Sequence, residues 1–267
     1  MLQYSDANAK LSKLYDAENV QRWLDFGRFQ AEVYSLDLLS GWSCPHAKTC
    51  HSKVVELDGQ YTKSGNPKRK LIDGTHTEFR CFSASQEALL PNVYDRRKNN
   101  FDLLRRAGTI EAMTALMQEA IPRNAGIVRQ HVGGDFFSRK YFVAWLELAR
   151  NNPEILFYAY TKSLNYWVEN MQYVEALPNV ILTASRGGSL DFLINKHGLR
   201  EAVVVYSEEQ ADTLGLPIDH DDSHAATNGG NFALLLHGVQ PKGSEAAKAL
   251  VELQGKGSYR RAKNGAR

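Results

Sequence analysis

The sequence predicts an α/β fold, an irregular or partial TIM-like (β/α) barrel with mainly parallel strands, N-terminal helices and a small hairpin insertion. Three observations lead there. From residue 125 onward, five apolar strand-like runs alternate with helical segments. The runs are near-continuous in apolar residues, as strands covered on both faces must be. Each run ends in polar residues, and crossovers of this length imply right-handed βαβ units feeding a parallel sheet.

Taken in order, residues 1–36 read as one or two helices, with "ENVQRWLDFGRFQAEVY" apolar at helical spacing. "SLDLLSGWSC" reads as a short strand running into a loop. Residues 51–80 form an excursion in which "KVVEL" and "KRKLI" are hairpin strands around the turn-rich "DGQYTKSGNP". "QEALLPNVYDRRKNNFDLLRRAGTIEAMTALMQEAI" is largely helical and interrupted near Pro91. The alternation then begins. "GIVRQHVGGDFF" is a strand ending in a glycine pair, and "SRKYFVAWLELARNN" is an amphipathic helix with Phe142, Trp145, Leu146 and Ala149 on one face and Ser138 as N-cap. "EILFYAYTKS", "NVILTASRGG", "REAVVVYSEE" and "NFALLLHGVQP" are the further strands. "LNYWVENMQYVEAL", "SLDFLINKHGL", "EEQADTLGL" and the closing "SEAAKALVELQGKG" are the helices. One domain over 1–267 is expected, with 51–80 as its insertion and 256–267 as a basic, disordered tail.

Composition narrows the function classes. With 32 Lys+Arg against 30 Asp+Glu, the net charge of +2 gives no global field for nucleic acid or membrane. The tail "KGSYRRAKNGAR", with five cations and no acid, keeps a nucleic-acid contact open. No apolar run reaches the length of a transmembrane helix. The polar start "MLQYSDANAKLSKLYDAENV" lacks the regions of a signal peptide, so a cytoplasmic location is expected.

The three cysteines, Cys44, Cys50 and Cys81, are an odd number for a disulfide framework. Cys44 and Cys50 sit in "GWSCPHAKTC", whose Gly, Pro, Ser and Thr suit a loop, and loop cysteines in a reducing compartment act more often as ligands or reactive groups than as core filler. The strand ends supply other chemistry: His131, Gly133, Gly134 and Asp135; Tyr160, Thr161 and Lys162; Ser185 and Arg186; and His237. In parallel α/β folds that rim is where a site is built. The loop "DHDDSH" at 219–224 suits either a divalent cation or acid–base chemistry, or else a solvated turn.

A cysteine loop after the first strand, followed by "HVGGDFFSRKYFVAWLELAR", resembles radical S-adenosylmethionine enzymes. That resemblance implies a 4Fe–4S cluster, with Gly133, Gly134 and Asp135 holding the methionyl group of S-adenosylmethionine beside His131 and Ser185. The cysteines here are spread as C-x5-C and C-x30-C, so Cys81 must return through the 51–80 excursion. "GWSCPHAKTC", "FRCFSAS", "HVGGDFFSRKYFVAWLELA", "FYAYTKS", "LTASRGG", "LPIDHDDSHA" and "FALLLHGVQPKGSEAA" are similar to the phage gene product 88 family, over roughly residues 35–245. This resemblance implies a phage origin, hence the host cytoplasm, and a barrel with a rim site.

Three thiolates fit a 4Fe–4S cluster with one iron left open. A Cys3His zinc site completed by His46 or His51 is the alternative ligand set. The expectation is therefore an iron–sulfur protein with metal ligands Cys44, Cys50 and Cys81. Its rim groups Asp135, Lys162 and Arg186 would act on a small-molecule or nucleotide substrate by Lewis-acid or radical chemistry. A zinc enzyme modifying nucleobases and a non-catalytic cluster protein for redox sensing or host interaction are the other readings.

Overall fold

The computed structural model describes residues 1–25 and 30–253. Seven strands form one sheet: β1 (Ser5–Asp6), β2 (Glu32–Leu36), β5 (Ala125–Gln130), β6 (Leu156–Thr161), β7 (Val180–Ser185), β8 (Glu201–Val205) and β9 (Phe232–Leu235), in that order. All neighbours are parallel except β1 and β2, which run antiparallel. The remaining strands, β3 (Ser52–Tyr61) and β4 (Pro67–Asp73), pair antiparallel as a separate hairpin.

Successive parallel strands lie side by side, so every crossover steps in one direction and its helix lands on one face. The buried residues bear this out. Helices α2 (Pro91–Ala107), α3 (Ile110–Ala120), α4 (Arg139–Asn151), α5 (Leu164–Glu169), α6 (Met171–Glu175) and α7 (Phe192–His197) share a core with Val128, Phe157, Leu182 and Ala184 of the sheet. The residues alternating with these, Ile127, Leu156, Tyr158 and Ile181, pack on the other face. At the β9 end, α8 (Glu208–Leu214) and α9 (Glu245–Glu252) enclose a third cluster around Val205 and Leu235. Ser138 caps α4 by accepting from the Tyr141 N–H.

The barrel of the expectation is not closed: β1 and β9 are the two ends of an open sheet. A closed barrel fills its interior with inward side chains from eight strands. Here the face away from the helices is filled by other parts of the chain. Leu11, Leu14, Val20 and Leu24 from the N-terminal segment and Ala225 and Ala226 from the loop before β9 supply the apolar surface that missing strands would give.

That packing also explains the correction at the N-terminus. The expected helices are two short 3-10 turns, Leu11–Asp16 and Glu18–Trp23, and β2 begins inside the stretch read as helical, part of which lies outside the described residues. Parallel pairing of Val33–Leu36 with β5 overrides the helical spacing. β2 ends at Leu36, early in the "SLDLL" read as strand before the loop, where Asp37 turns its carboxylate onto the Val132 and Gly133 N–H groups at 2.6 and 3.3 Å. The segment "LNYWVENMQYVEAL" is two helices, broken at Asn170. The basic tail lies outside the described residues. Among the described residues no helix is long and apolar enough to cross a membrane.

Candidate functional site

A cavity of about 470 Å³ opens at the C-terminal ends of β5, β6 and β7. Cys44, Cys50 and Cys81 all line it, with His131, Gly134, Asp135, Lys162 and Ser185. The hairpin accounts for the long C-x30-C interval. Pairing of Ser52 with Asp73 brings the chain back to where it left. Beyond that pair, the Gly74 N–H donates to the His51 carbonyl at 2.7 Å, and the Glu78 and Phe79 N–H groups donate to the Thr49 carbonyl at 2.8 and 3.2 Å. Cys50 and Cys81 thus flank one hairpin base. The cysteine loop is held from the other side by the end of β7. Lys48 and Thr49 donate their N–H groups to the Gly187 carbonyl at 3.2 and 3.0 Å. Gly187 has φ +100°, and a Cβ there would meet Thr49 Oγ1 at 2.1 Å, so only glycine allows this clasp.

All three thiols are half-buried and unpaired. Burial, and then the neighbouring Asp135, Cys81 and Cys50 charges, push the Cys44 thiol well up. Burial and the Cys50 charge push Cys81 up to about 11. Burial is the larger cause for both, so Cys44 and Cys81 are neutral thiols near pH 7, and a bound cation would have to displace their protons. One donor already aims at a sulfur. The Gly41 N–H lies 3.3 Å from Cys44 Sγ, and backbone N–H groups of Ala84 and Ser83, in the first turn of α1 (Phe82–Leu89), favour the Cys81 thiolate.

A single zinc ion would hold its thiolates within about 4 Å of one another. Among the described residues no group of three His, Cys, Asp or Glu side chains is arranged to hold a metal ion. His46 and His51, the candidates for a fourth zinc ligand, do not line the cavity; His131 and His237 do. His46 instead sets its Nδ1 3.4 Å from Ser189 Oγ and its ring edge against Tyr166.

The rim groups have partners within the chain. Asp135 accepts from the Phe136 N–H at 2.7 Å, Thr161 Oγ1 at 2.6 Å and the Lys162 N–H at 2.8 Å. Burial outweighs these bonds and raises its carboxyl to about 6. Lys162 gives Asp135 its backbone N–H, while its ammonium is bound to the Ser185 carbonyl and hydroxyl and the Arg186 carbonyl at 2.7, 2.8 and 2.8 Å. His131 has φ +71°, sets Nε2 3.0 Å from the Tyr141 hydroxyl, and is lowered to about 3 by burial and the Arg129 charge. It is therefore neutral at physiological pH. Gly133 lies outside the cavity lining, its carbonyl accepting from the Leu38 N–H at 2.8 Å. Arg186 also lies outside it, paired with Glu201. The Gly133–Asp135 stretch thus ties loops together, with the Gly133 carbonyl and both Asp135 oxygens accepting hydrogen bonds from within the chain.

Other cavity residues carried no signal in the sequence. Lys10, Arg80, Arg129 and Phe82 line it, beside Tyr160 of the expected rim. Lys10 and Arg129 both pair with Asp222 of the 219–224 loop, fully buried, and Tyr158 donates to the same carboxylate at 2.9 Å. Asp219 and Asp222 anchor that loop in the interior, while His220 is exposed. An acid and two cations more than 90 residues apart in the chain meet through folding alone, and no local pattern announces them.

The family described as Gene product 88 matches residues 2–254 of this chain. Gene 88 protein of Mycobacterium phage L5 is 32% identical over 90 residues, an alignment covering 31% of this chain and 38% of that protein. The chain therefore matches well under half the length of that curated relative. No solved structure matches it.

Proposed function

Because this chain belongs to the gene product 88 family and places three unpaired thiols on one cavity, we propose that it is a phage iron–sulfur protein. In this reading Cys44, Cys50 and Cys81 hold a 4Fe–4S cluster whose fourth iron faces a substrate cavity. The observation that carries it is the shared lining: cysteines separated by C-x5-C and C-x30-C open on the same space, with the Gly41 N–H aimed at the Cys44 sulfur. Such hydrogen bonds are among the levers that set a cluster's potential. When bound, the cluster supplies Lewis-acid or one-electron chemistry at its open iron. The chain's own residues do the rest. Asp135, raised to about 6, holds or takes up a proton at the cavity wall near neutral pH. Lys162 fixes the ends of β6 and β7 to each other through Ser185 and Arg186. A volume near 470 Å³ suits a small molecule or a nucleotide.

Purification without oxygen, followed by iron, sulfide and zinc analysis, tests the reading. The expected result is a brown protein with about four iron and four sulfide per chain, lost in Cys81→Ala. Stoichiometric zinc in a colourless protein supports the zinc alternative instead. A metal-free protein, or full iron retained in Cys81→Ala, overturns the three-ligand assignment.

A further inference from the structure

Beneath the cysteine loop lies a buried polar network that the site as described does not use. Glu87 of α1, fully buried, accepts at Oε1 from the Ser40 N–H at 3.0 Å, Ser40 Oγ at 2.8 Å and Arg97 Nη1 at 3.1 Å. Arg97, on α2 and 4% exposed, also donates through Nη1 to Ser83 Oγ at 2.6 Å and the Ser83 carbonyl at 3.2 Å. Its Nη2 lies 3.9 Å from Asp37, the carboxylate that holds Val132 and Gly133. A Cβ on Gly133 would come within 2.2 Å of Ser83 Oγ, so the network is packed tightly against the end of β5.

Three segments are joined here. Ser40 precedes Gly41, whose N–H meets the Cys44 sulfur. Ser83 and Glu87 lie on the helix that begins beside Cys81. Asp37 anchors the turn that leads to Asp135. An acid this deeply buried is costly unless it is held, and one of its oxygens, Oε2, has no hydrogen-bond partner among the described residues. Simple packing at this position needs no carboxylate. Burial pushes the Glu87 carboxyl up, against the Arg97 and Ser40 contacts that favour its charge, and in its ionised form it acts on Cys81 against ionisation.

Resting on the cluster reading above, we infer that Glu87, fixed by Arg97, is the positioning residue of the thiolate site: its reach sets the cysteine loop against the Cys81 helix, and its charge tunes the potential of the bound centre. Groups that orient a metal's ligands affect its affinity, and net charge near a cluster is one of the determinants of its potential.

The two roles separate in two variants of the full chain, reconstituted anaerobically. Glu87→Gln keeps the length and an acceptor for Ser40 but removes the charge. It is expected to keep its iron with a midpoint potential shifted positive of wild type. Glu87→Asp keeps the charge but shortens the reach. It is expected to lose iron to a chelator roughly 10-fold faster, with the potential of the remaining cluster unmoved. Thermal midpoints of the metal-free proteins register any general loss of stability, which shifts neither potential selectively. If wild type holds a cluster and both variants keep full iron at the wild-type potential, the inference falls and the cluster reading stands. If wild type takes up no cluster under the same conditions, both fall together.

Discussion

The Asp135 carboxylate sits at the cavity wall with Cys44 on one side and the end of β6 on the other, and three donors engage its oxygens. Those donors favour the ionised form, yet burial wins and the carboxyl moves from 3.8 to about 6. The sign of the pH dependence follows. A folded pKa above the unfolded one means that this group's contribution to stability is complete below about pH 4 and lost as pH rises through about 6. The shift corresponds to about 3 kcal/mol. Asp135→Asn removes the titration but keeps the shape. Its destabilisation relative to wild type, measured as the difference in urea midpoints, should therefore shrink as pH rises from 4 to 7. A difference that stays constant over that window means Asp135 does not titrate there. The rim position of this residue was readable from "GGDFF". Its role as a bracket between two strand ends was not, because Thr161 and the Lys162 N–H lie 26 and 27 residues away.

Between the second and third cysteines the hairpin shows which part of an element matters to the site. Its tip, including Tyr61 and the turn before β4, is exposed, whereas its base carries the contacts that bring Cys81 back. At that base Ser52 donates to Asp73 at 3.0 Å, Arg80 holds the Asp73 carboxylate through Nε at 2.9 Å, and the Cys81 N–H reaches Ser52 Oγ at 3.4 Å. In the cluster reading, replacing the tip by a two-residue turn should leave metal content at the wild-type level, because a short hairpin still closes the ladder. Asp73→Ala releases Ser52 and Arg80 together and should lower metal content with the rest of the fold intact, read by metal analysis beside far-UV circular dichroism. Equal metal in both variants removes the hairpin base from the account. The hairpin was legible in the sequence because turn residues punctuate its tip. The N-terminal segment was misread because Leu11, Leu14, Val20 and Leu24 have apolar spacing that fits a helix, while their partners, Ile127, Tyr158 and Ile181, lie on a sheet more than 100 residues away.

An open sheet with helices on one face leaves the other face to be covered, and here the cover is tied down electrostatically. Asp222, in the left-handed region at φ +63°, receives Lys10 from the N-terminal segment, Arg129 from β5 and Tyr158 from β6. Arg200 holds the same loop through the His224 and Ala225 carbonyls at 3.2 and 3.1 Å. Two buried cations on one carboxylate hold it well below the usual carboxylate range, despite burial. Its contribution is thus present above the ordinary carboxylate pKa and lost only as pH falls below it. Residues 8–10 line the cavity as well, so the segment that replaces the missing barrel strands is also a wall of the site. Cover and cavity should then fail together. Asp222→Ala strands Lys10 and Arg129 without their shared acid, and breaking a buried pair in this way costs about 3–5 kcal/mol. The variant should unfold at correspondingly lower urea and bind an apolar dye before its far-UV signal is lost, as Leu11 and Leu14 lift from Ile127 and Tyr158. Lys10→Met leaves the Arg129 pair in place and adds apolar surface, so it should cost less than Asp222→Ala. If the two variants are equally destabilised, the latch depends on Lys10 alone and the shared carboxylate is not what closes the open face.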